Sequence, residues 1–352
     1  MSVDAVELLQ GLVAIQSLSG QEAAASAHLV EQMKALGYQA RIDEVNNAIG
    51  LREKPDADGQ ITTEIVLLGH IDTVPGDIPV EIKDGSLFGR GSVDAKGPLA
   101  TFVMAGAKAK LRPGMRLIVV GAVEEEAATS KGAVHIAATR QADLCIIGEP
   151  SGWDAVTLGY KGRILFEYSL QQPAGHSAGP GRAVAEFAVD WWNAIAAHAA
   201  AFNQEHSGAF DQLMPSLRQI ETHSNGLADS VHAKVGVRLP PDFDIGAYKA
   251  TVREFAGDAE LAIYGNVPAY RAERNSPLVR AFSTAFREKG LRPRLKVKTG
   301  TSDMNTVAPV WGCPIVAYGP GDSSLDHTAE EHLPLDDYRQ AIELLTNVLE
   351  QL

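Results

Sequence analysis

Apolar residues recur at helical spacing over 3–16, where Val6, Leu9, Leu12 and Val13 share one face. Ser19 and Glu22 have the spacing of a capping box for a second helix that stops near Gly37. Residues 38–52 read as strands. Three short apolar runs follow: Ile65-Val66-Leu67-Leu68, Leu117-Ile118-Val119-Val120 and Leu144-Cys145-Ile146-Ile147. Each is the pattern of a strand covered on both faces. Between them, 97–110 suits a helix beginning near Pro98, Pro113-Gly114 a turn, and 132–140 a further helix. Buried strands alternating with helices predict an α/β fold with a mixed, mostly parallel sheet flanked by helices. In such sheets ligands gather beyond the carboxyl ends of strands. His70, Glu124 to Glu126 and Glu149 all stand just past such an end.

The pattern changes after residue 160. Residues 164–170 read as a strand, 182–205 as a long amphipathic helix, and 231–239 alternate through Val231, Ala233, Val235, Val237 and Leu239. A helix near 246–256 and a strand at 260–264 complete a small α+β insertion. The α/β pattern resumes from Ser276 and closes with a helix over 335–351. The expected organisation is therefore one domain made of 1–159 and 271–352, interrupted by another at 160–270.

Charge and composition narrow the function. Thirty-one Lys and Arg against 44 Asp and Glu leave a net charge of −13 over 352 residues. That argues against nucleic-acid or anionic-membrane partners. No run of 18 apolar residues escapes a charge or amide, so no membrane span is expected. The N-terminus has no basic, then apolar, leader pattern. Two distant cysteines, Cys145 and Cys313, exclude a disulfide scaffold and a four-cysteine zinc site and fit a cytoplasmic location.

Five residues carry the candidate chemistry: His70, Asp94, Glu126, Glu149 and His327. Imidazole and carboxylate donors together suit zinc or a similar first-row divalent ion. Two such ions need a carboxylate shared between them. Three ligand carboxylates against two divalent ions leave one positive charge for a hydroxide to neutralise. Asp72, two residues after His70, falls on the same strand face and can orient its imidazole. In Glu124-Glu125-Glu126, one glutamate can bind metal while its neighbour serves as general base. His28, His135, His198, His206 and His223 read as structural or solvated, and Lys161, Arg163 and Arg182 as a solvated basic face.

These motifs resemble, in order and spacing, those of the M20 metallopeptidase and deacylase family. The matching strings are Gly69-His70-Ile71-Asp72-Thr73-Val74-Pro75, Gly89-Arg90-Gly91-Ser92-Val93-Asp94-Ala95-Lys96-Gly97, Glu124-Glu125-Glu126 and Gly148-Glu149-Pro150. Gly175-His176-Ser177, Gly300-Thr301-Ser302-Asp303 and Asp326-His327-Thr328 extend them over nearly the whole chain. Glu124 stands where the family usually has aspartate, and the offset to Gly132 selects Glu125 and Glu126 as base and ligand. The resemblance implies a zinc-peptidase-like catalytic domain with 160–270 as its lid or dimerisation domain. It implies His70 and Glu149 on one ion, Glu126 and His327 on the other, and Asp94 between them. Glu125 would be the general base and Asp72 the orienter of His70. His176 would stabilise the oxyanion, Arg238 would clamp a substrate carboxylate, and Asn225, Gly300 and Thr301 would line the substrate. Two divalent ions (zinc, with cobalt as a substitute) and a homodimer are likewise implied.

Val93-Asp94-Ala95-Lys96-Gly97-Pro98, the triple glutamate and the short chain are most similar to one branch of the family. That branch serves lysine and arginine biosynthesis, releasing lysine or ornithine from the C-terminal glutamate of a small amino-group carrier protein. Deacylation of N-acetylornithine or N-succinyl-diaminopimelate, or peptidase activity, are the alternatives within the family. Gly175-His176-Ser177-Ala178-Gly179 also fits G-x-S-x-G, with Ser177 as nucleophile. However, Gln171 to Ala174 separates it from the preceding strand, where an elbow sets its serine directly after one.

Overall fold

Four parallel strands lie side by side in the order Met115–Ala122, Thr63–His70, Leu144–Gly148 and Ile315–Tyr318. They occupy the middle of a larger mixed sheet in a computed structural model that describes residues 3–176 and 178–352. Antiparallel strands extend the sheet: Ala48–Lys54 and then Gln39–Ile42 beyond Met115–Ala122, and Ala155–Tyr160 beyond Ile315–Tyr318. The middle strands are almost wholly buried, which is why they read as unbroken Val, Ile and Leu runs.

A row of glycines crosses three of these strands. Gly69 is in register with Gly121 on one side and Gly148 on the other. The helix Lys96–Lys108 rests on that row. A Cβ on Gly148 would come within 2.9 Å of the Phe102 ring, and one on Gly69 within 3.3 Å of Leu99. Close approach is what these positions require, and it seats the helix directly beneath the ends of the strands.

The chain divides into two units. One runs through Gly159 and resumes over Arg271–Val297 and Ser302–Leu352. The other comprises Tyr160–Tyr270 and takes in Lys298–Thr301. In the second unit an antiparallel sheet has the order Met214–Ser224, Ala228–Leu239, Gly162–Pro173, Glu260–Val267. Ile164, Phe166, Tyr168, Val235 and Val237 form a core with Trp191 and Ile195 of helix Val184–Asn203 and Tyr248 and Val252 of helix Ile245–Ala256.

Three features depart from expectation. Strand Met214–Ser224 is absent from the hydrophobic reading because it lies at the edge of its sheet and none of its residues is buried, so it carries no apolar run; its pairing also slips between Leu217 and Gln219. Ser19 and Glu22 form no capping box. Ser19 Oγ donates to Asp72 Oδ2 at 2.7 Å, while Glu22 Oε1 accepts from the Gly20 and Glu124 amides. Lys161 is fully buried rather than solvated, and its Nζ donates to the carbonyls of Ala209, Phe210 and Gln212. Desolvation lowers its pKa to about 8. Among the described residues no helix is long and apolar enough to cross a membrane.

Candidate metal centre

Every side chain of the centre hangs from the carboxyl ends of the parallel strands or from loops folded over them. His70 is the last residue of its strand, Glu124 to Glu126 follow Ala122, and Glu149 follows Gly148. His327 lies in the segment after strand Ile315–Tyr318 and adopts a left-handed φ of 62°. Asp94 ends a turn-rich loop in which Gly89 and Gly91 also have positive φ.

Asp94 divides its carboxylate between two imidazoles. Its Oδ1 is 3.2 Å from His70 Nε2, and its Oδ2 is 3.1 Å from His327 Nε2. Glu126 Oε1 lies 2.9 Å from the same His327 nitrogen. Donor atoms of His70, Glu125 and Glu126 converge within 4.8 Å, as do those of Asp94, Glu126 and His327. Glu149 belongs to neither group, but it is buried, and its charge acts on Glu125. Two imidazoles and several carboxylates around one shared aspartate fit a pair of first-row divalent ions.

The electrostatics follow from this crowding. Hydrogen bonds to Asp94 and Glu126 push His327 up to about 10. Burial opposes charge on His70, but its bonds to Asp72 and Asp94 outweigh burial and raise its pKa. Burial likewise works against Asp94, yet the two histidines hold its carboxyl well below the usual range. Glu125 is driven the other way: burial raises its pKa, and the nearby charges of Glu149, Asp303 and Glu126 raise it further against the pull of His70. Asp303, buried at the start of helix Asp303–Trp311, is raised to about 7 by desolvation.

Asp72 approaches His70 more closely with its main-chain carbonyl than with the carboxylate expected to orient it. Its Oδ1 accepts from the Glu125 amide and its Oδ2 from the Glu126 amide, both at 3.0 Å. His70 Nδ1 is 3.1 Å from the Asp72 carbonyl and 3.6 Å from its carboxylate. The hydrogen bonds of the carboxylate thus go to the acidic loop and to Ser19. Glu331 was not singled out by sequence reasoning. It is buried, and its Oε1 accepts from the amides of Val93 and Asp94. Asp43, Glu44 and His135 also converge. There, however, Asp43 already accepts from the amides of Val45 and Asn47 and from the Asn47 side chain.

The remaining candidates belong to the second unit. Arg238 Nη1 donates to Thr301 Oγ1 at 2.9 Å. Asn225 is exposed at a hairpin tip, its Oδ1 accepting from the amides of Leu227 and Ala228. His176 is exposed, its Nδ1 accepting from Ala178 N at 3.1 Å. Among the described residues, apart from its chain neighbours, no atom would lie within 4 Å of a Cβ on Gly300. Ser177 lies outside the described residues.

The profile of peptidase family M20/M25/M40 matches residues 66–351, which include all of these metal-centre residues. The chain belongs to that family. Among its M20 relatives, a "[LysW]-lysine hydrolase" of Deinococcus radiodurans is 43% identical over 354 residues, covering 98% of this chain and 96% of the relative. A "putative [LysW]-lysine/[LysW]-ornithine hydrolase" of Thermococcus kodakarensis is 41% identical over 351 residues, covering 100% and 93%. Among solved structures, an M20 family metallo-carboxypeptidase from Sulfolobus solfataricus superposes with a TM-score of 0.79 at 17% identity, covering 99% of both chains. A dinuclear metal-binding M20 peptidase from Bacillus subtilis gives 0.71 at 11% identity, covering 98% and 96%. The α/β architecture is thus that of M20 peptidases, and the protein is a metallo-hydrolase acting on amide bonds.

Proposed function

We propose that this enzyme releases lysine, or ornithine, from the C-terminal glutamate of an amino-group carrier protein. The division of the Asp94 carboxylate between His70 and His327 carries the amide-cleaving chemistry. The choice of acyl donor is supported by relatives at 43% and 41% identity along nearly their whole lengths, whose names specify LysW-linked lysine or ornithine.

In this reading His70 and Glu149 hold one ion, Glu126 and His327 the other, and Asp94 both, with zinc as the metal and cobalt as a substitute. Bound there, such ions supply Lewis acidity and lower the pKa of water to about 7. Glu125 accepts a proton from the attacking water and returns it to the leaving amine. A carboxyl with a raised pKa suits that double duty, because its carboxylate is a stronger base towards water and keeps the proton until the more basic leaving amine takes it. Asp72 keeps the Glu125-Glu126 backbone in place. His176 donates to the developing oxyanion, and Arg238, steadied by Thr301, pairs with the carboxylate of the leaving amino acid. Asn225 and Gly300 border the substrate. The insertion 160–270 serves as lid and as the contact of a cytoplasmic homodimer.

The test compares lysine and ornithine release from a carrier-protein conjugate with hydrolysis of N-acetylornithine and N-succinyl-diaminopimelate. The conjugate should be preferred on the order of 10²-fold or more in kcat/KM. Equal or faster cleavage of either small acyl amino acid overturns the assignment.

A further inference from the structure

We infer that Glu331 is a positioning residue for the bridging carboxylate, clamping the backbone of Asp94 so that its two oxygens face two different histidines. The inference rests on the proposed role of Asp94 as a shared ligand.

Glu331 is only 1% exposed, whereas its neighbour Glu330 is exposed. All three of its oxygens face one loop. Oε1 accepts from Val93 N at 2.9 Å and Asp94 N at 3.1 Å. Oε2 accepts from Arg90 Nη1 at 2.6 Å, and the main-chain carbonyl accepts from Gly89 N at 3.4 Å. The loop it gathers is otherwise one tight turn, closed by Ser92 N to Gly89 O, and one wider turn, closed by Lys96 N to Gly91 O. Two consecutive amides aimed at one carboxylate oxygen fix both peptide planes that flank Val93 and set the orientation of the Asp94 Cα–Cβ bond.

Asp72 repeats the device on the other side of the centre. It stands two residues after His70 and binds the amides of Glu125 and Glu126. Glu331 stands four residues after His327 and binds those of Val93 and Asp94. Each histidine segment thus carries a second carboxylate that holds the backbone of a facing acidic loop. Such geometry matters because a shared ligand tolerates displacements of only about 0.5 Å. Glu331 touches none of the reacting groups in this arrangement; it acts through Asp94.

Cobalt(II) titration of the demetallated full-length protein tests this, with calorimetric affinities and the visible spectrum read beside kcat and KM. Glu331→Ala should weaken ion binding on the order of 10- to 100-fold and alter the cobalt spectrum. Its kcat should fall while KM stays within about threefold. Wild-type affinities and spectrum in Glu331→Ala overturn the inference, whatever its thermal stability. If that variant does not fold, Glu331→Gln is measured instead. Its amide oxygen is a weaker acceptor for the two backbone N–H groups than a carboxylate, so the same losses are expected in smaller measure, and unchanged affinities again overturn the inference. Asp94→Ala separates the two levels. If it binds two ions as tightly as wild type, the reading of Asp94 fails; if it loses them while Glu331→Ala does not, only the positioning role fails.

Discussion

At the residue scale, Glu125, the proposed base, sits where opposing electrostatic influences meet. Burial and the anions of Glu149, Asp303 and Glu126 favour its protonated form, while His70 favours the ionised one. Replacing it with Gln preserves its size and removes the base. Turnover should drop on the order of 10² to 10⁴-fold, with two ions still bound per chain by elemental analysis; undiminished turnover would remove Glu125 from the mechanism. The histidines make a second prediction. In the demetallated protein His327 holds its proton up to about pH 10 because Asp94 and Glu126 accept from it, and a metal binds only neutral imidazole. Metal uptake at pH 7 should therefore release protons, so that the calorimetric enthalpy varies with the ionisation enthalpy of the buffer and affinity rises with pH. The same raised pKa links to stability. In the demetallated chain the contribution of charged His327 is complete below its unfolded value near 6.5 and is lost as pH climbs through about 10. Urea midpoints without metal should fall across that window, and a flat profile would contradict the pairing.

At the scale of single elements, the helix Lys96–Lys108 and the loop before it are held by Gly97. A Cβ there would meet Ser92 O at 2.3 Å and Leu333 Cδ2 at 2.8 Å, neither of which can move freely. Gly97→Ala should cost about 1–3 kcal/mol of stability, measured by urea unfolding, and should also weaken metal binding because Ser92 and Asp94 share one loop. The elements that sequence patterning reveals well are those with one dominant environment. The strands through Leu67, Val119 and Ile146 are covered on both faces and show continuous apolar runs. The segment Val231 to Leu239 alternates because one face meets helices. Strand Met214–Ser224 shows no such pattern because it is an edge strand with no buried residue. Ser19 and Glu22 had the right spacing for a cap, but distant partners claimed both side chains. Local pattern cannot show a partner that lies far along the chain, and the same limit hid Glu331 and the burial of Lys161.

For the whole molecule, His70, Glu126 and Glu149 were legible because they follow strand ends, which can be read from apolar runs, whereas Asp94 and His327 lie in loops and were legible only from their motifs. What the runs do not give is the lateral order Met115–Ala122, Thr63–His70, Leu144–Gly148, Ile315–Tyr318, which brings these residues into one place. Ions bound only by the native state should stabilise it by mass action, about 4.1 kcal/mol at a free concentration a thousandfold above Kd. Chelation should abolish activity and lower the melting temperature, and added zinc or cobalt should restore both; an unmoved melting temperature would mean that the native fold holds no ion tightly. The discontinuity of the first unit has a consequence for biosynthesis. His70, Asp94, Glu126 and Glu149 are all translated before the second unit, whereas His327 comes 178 positions after Glu149. At ribosomal speeds of about 5–20 residues per second, the growing polypeptide spends on the order of ten to forty seconds without its last imidazole. On the proposed assignment of His327 as a ligand, the cage for cations would close, and amide cleavage would begin, only when that residue has been made.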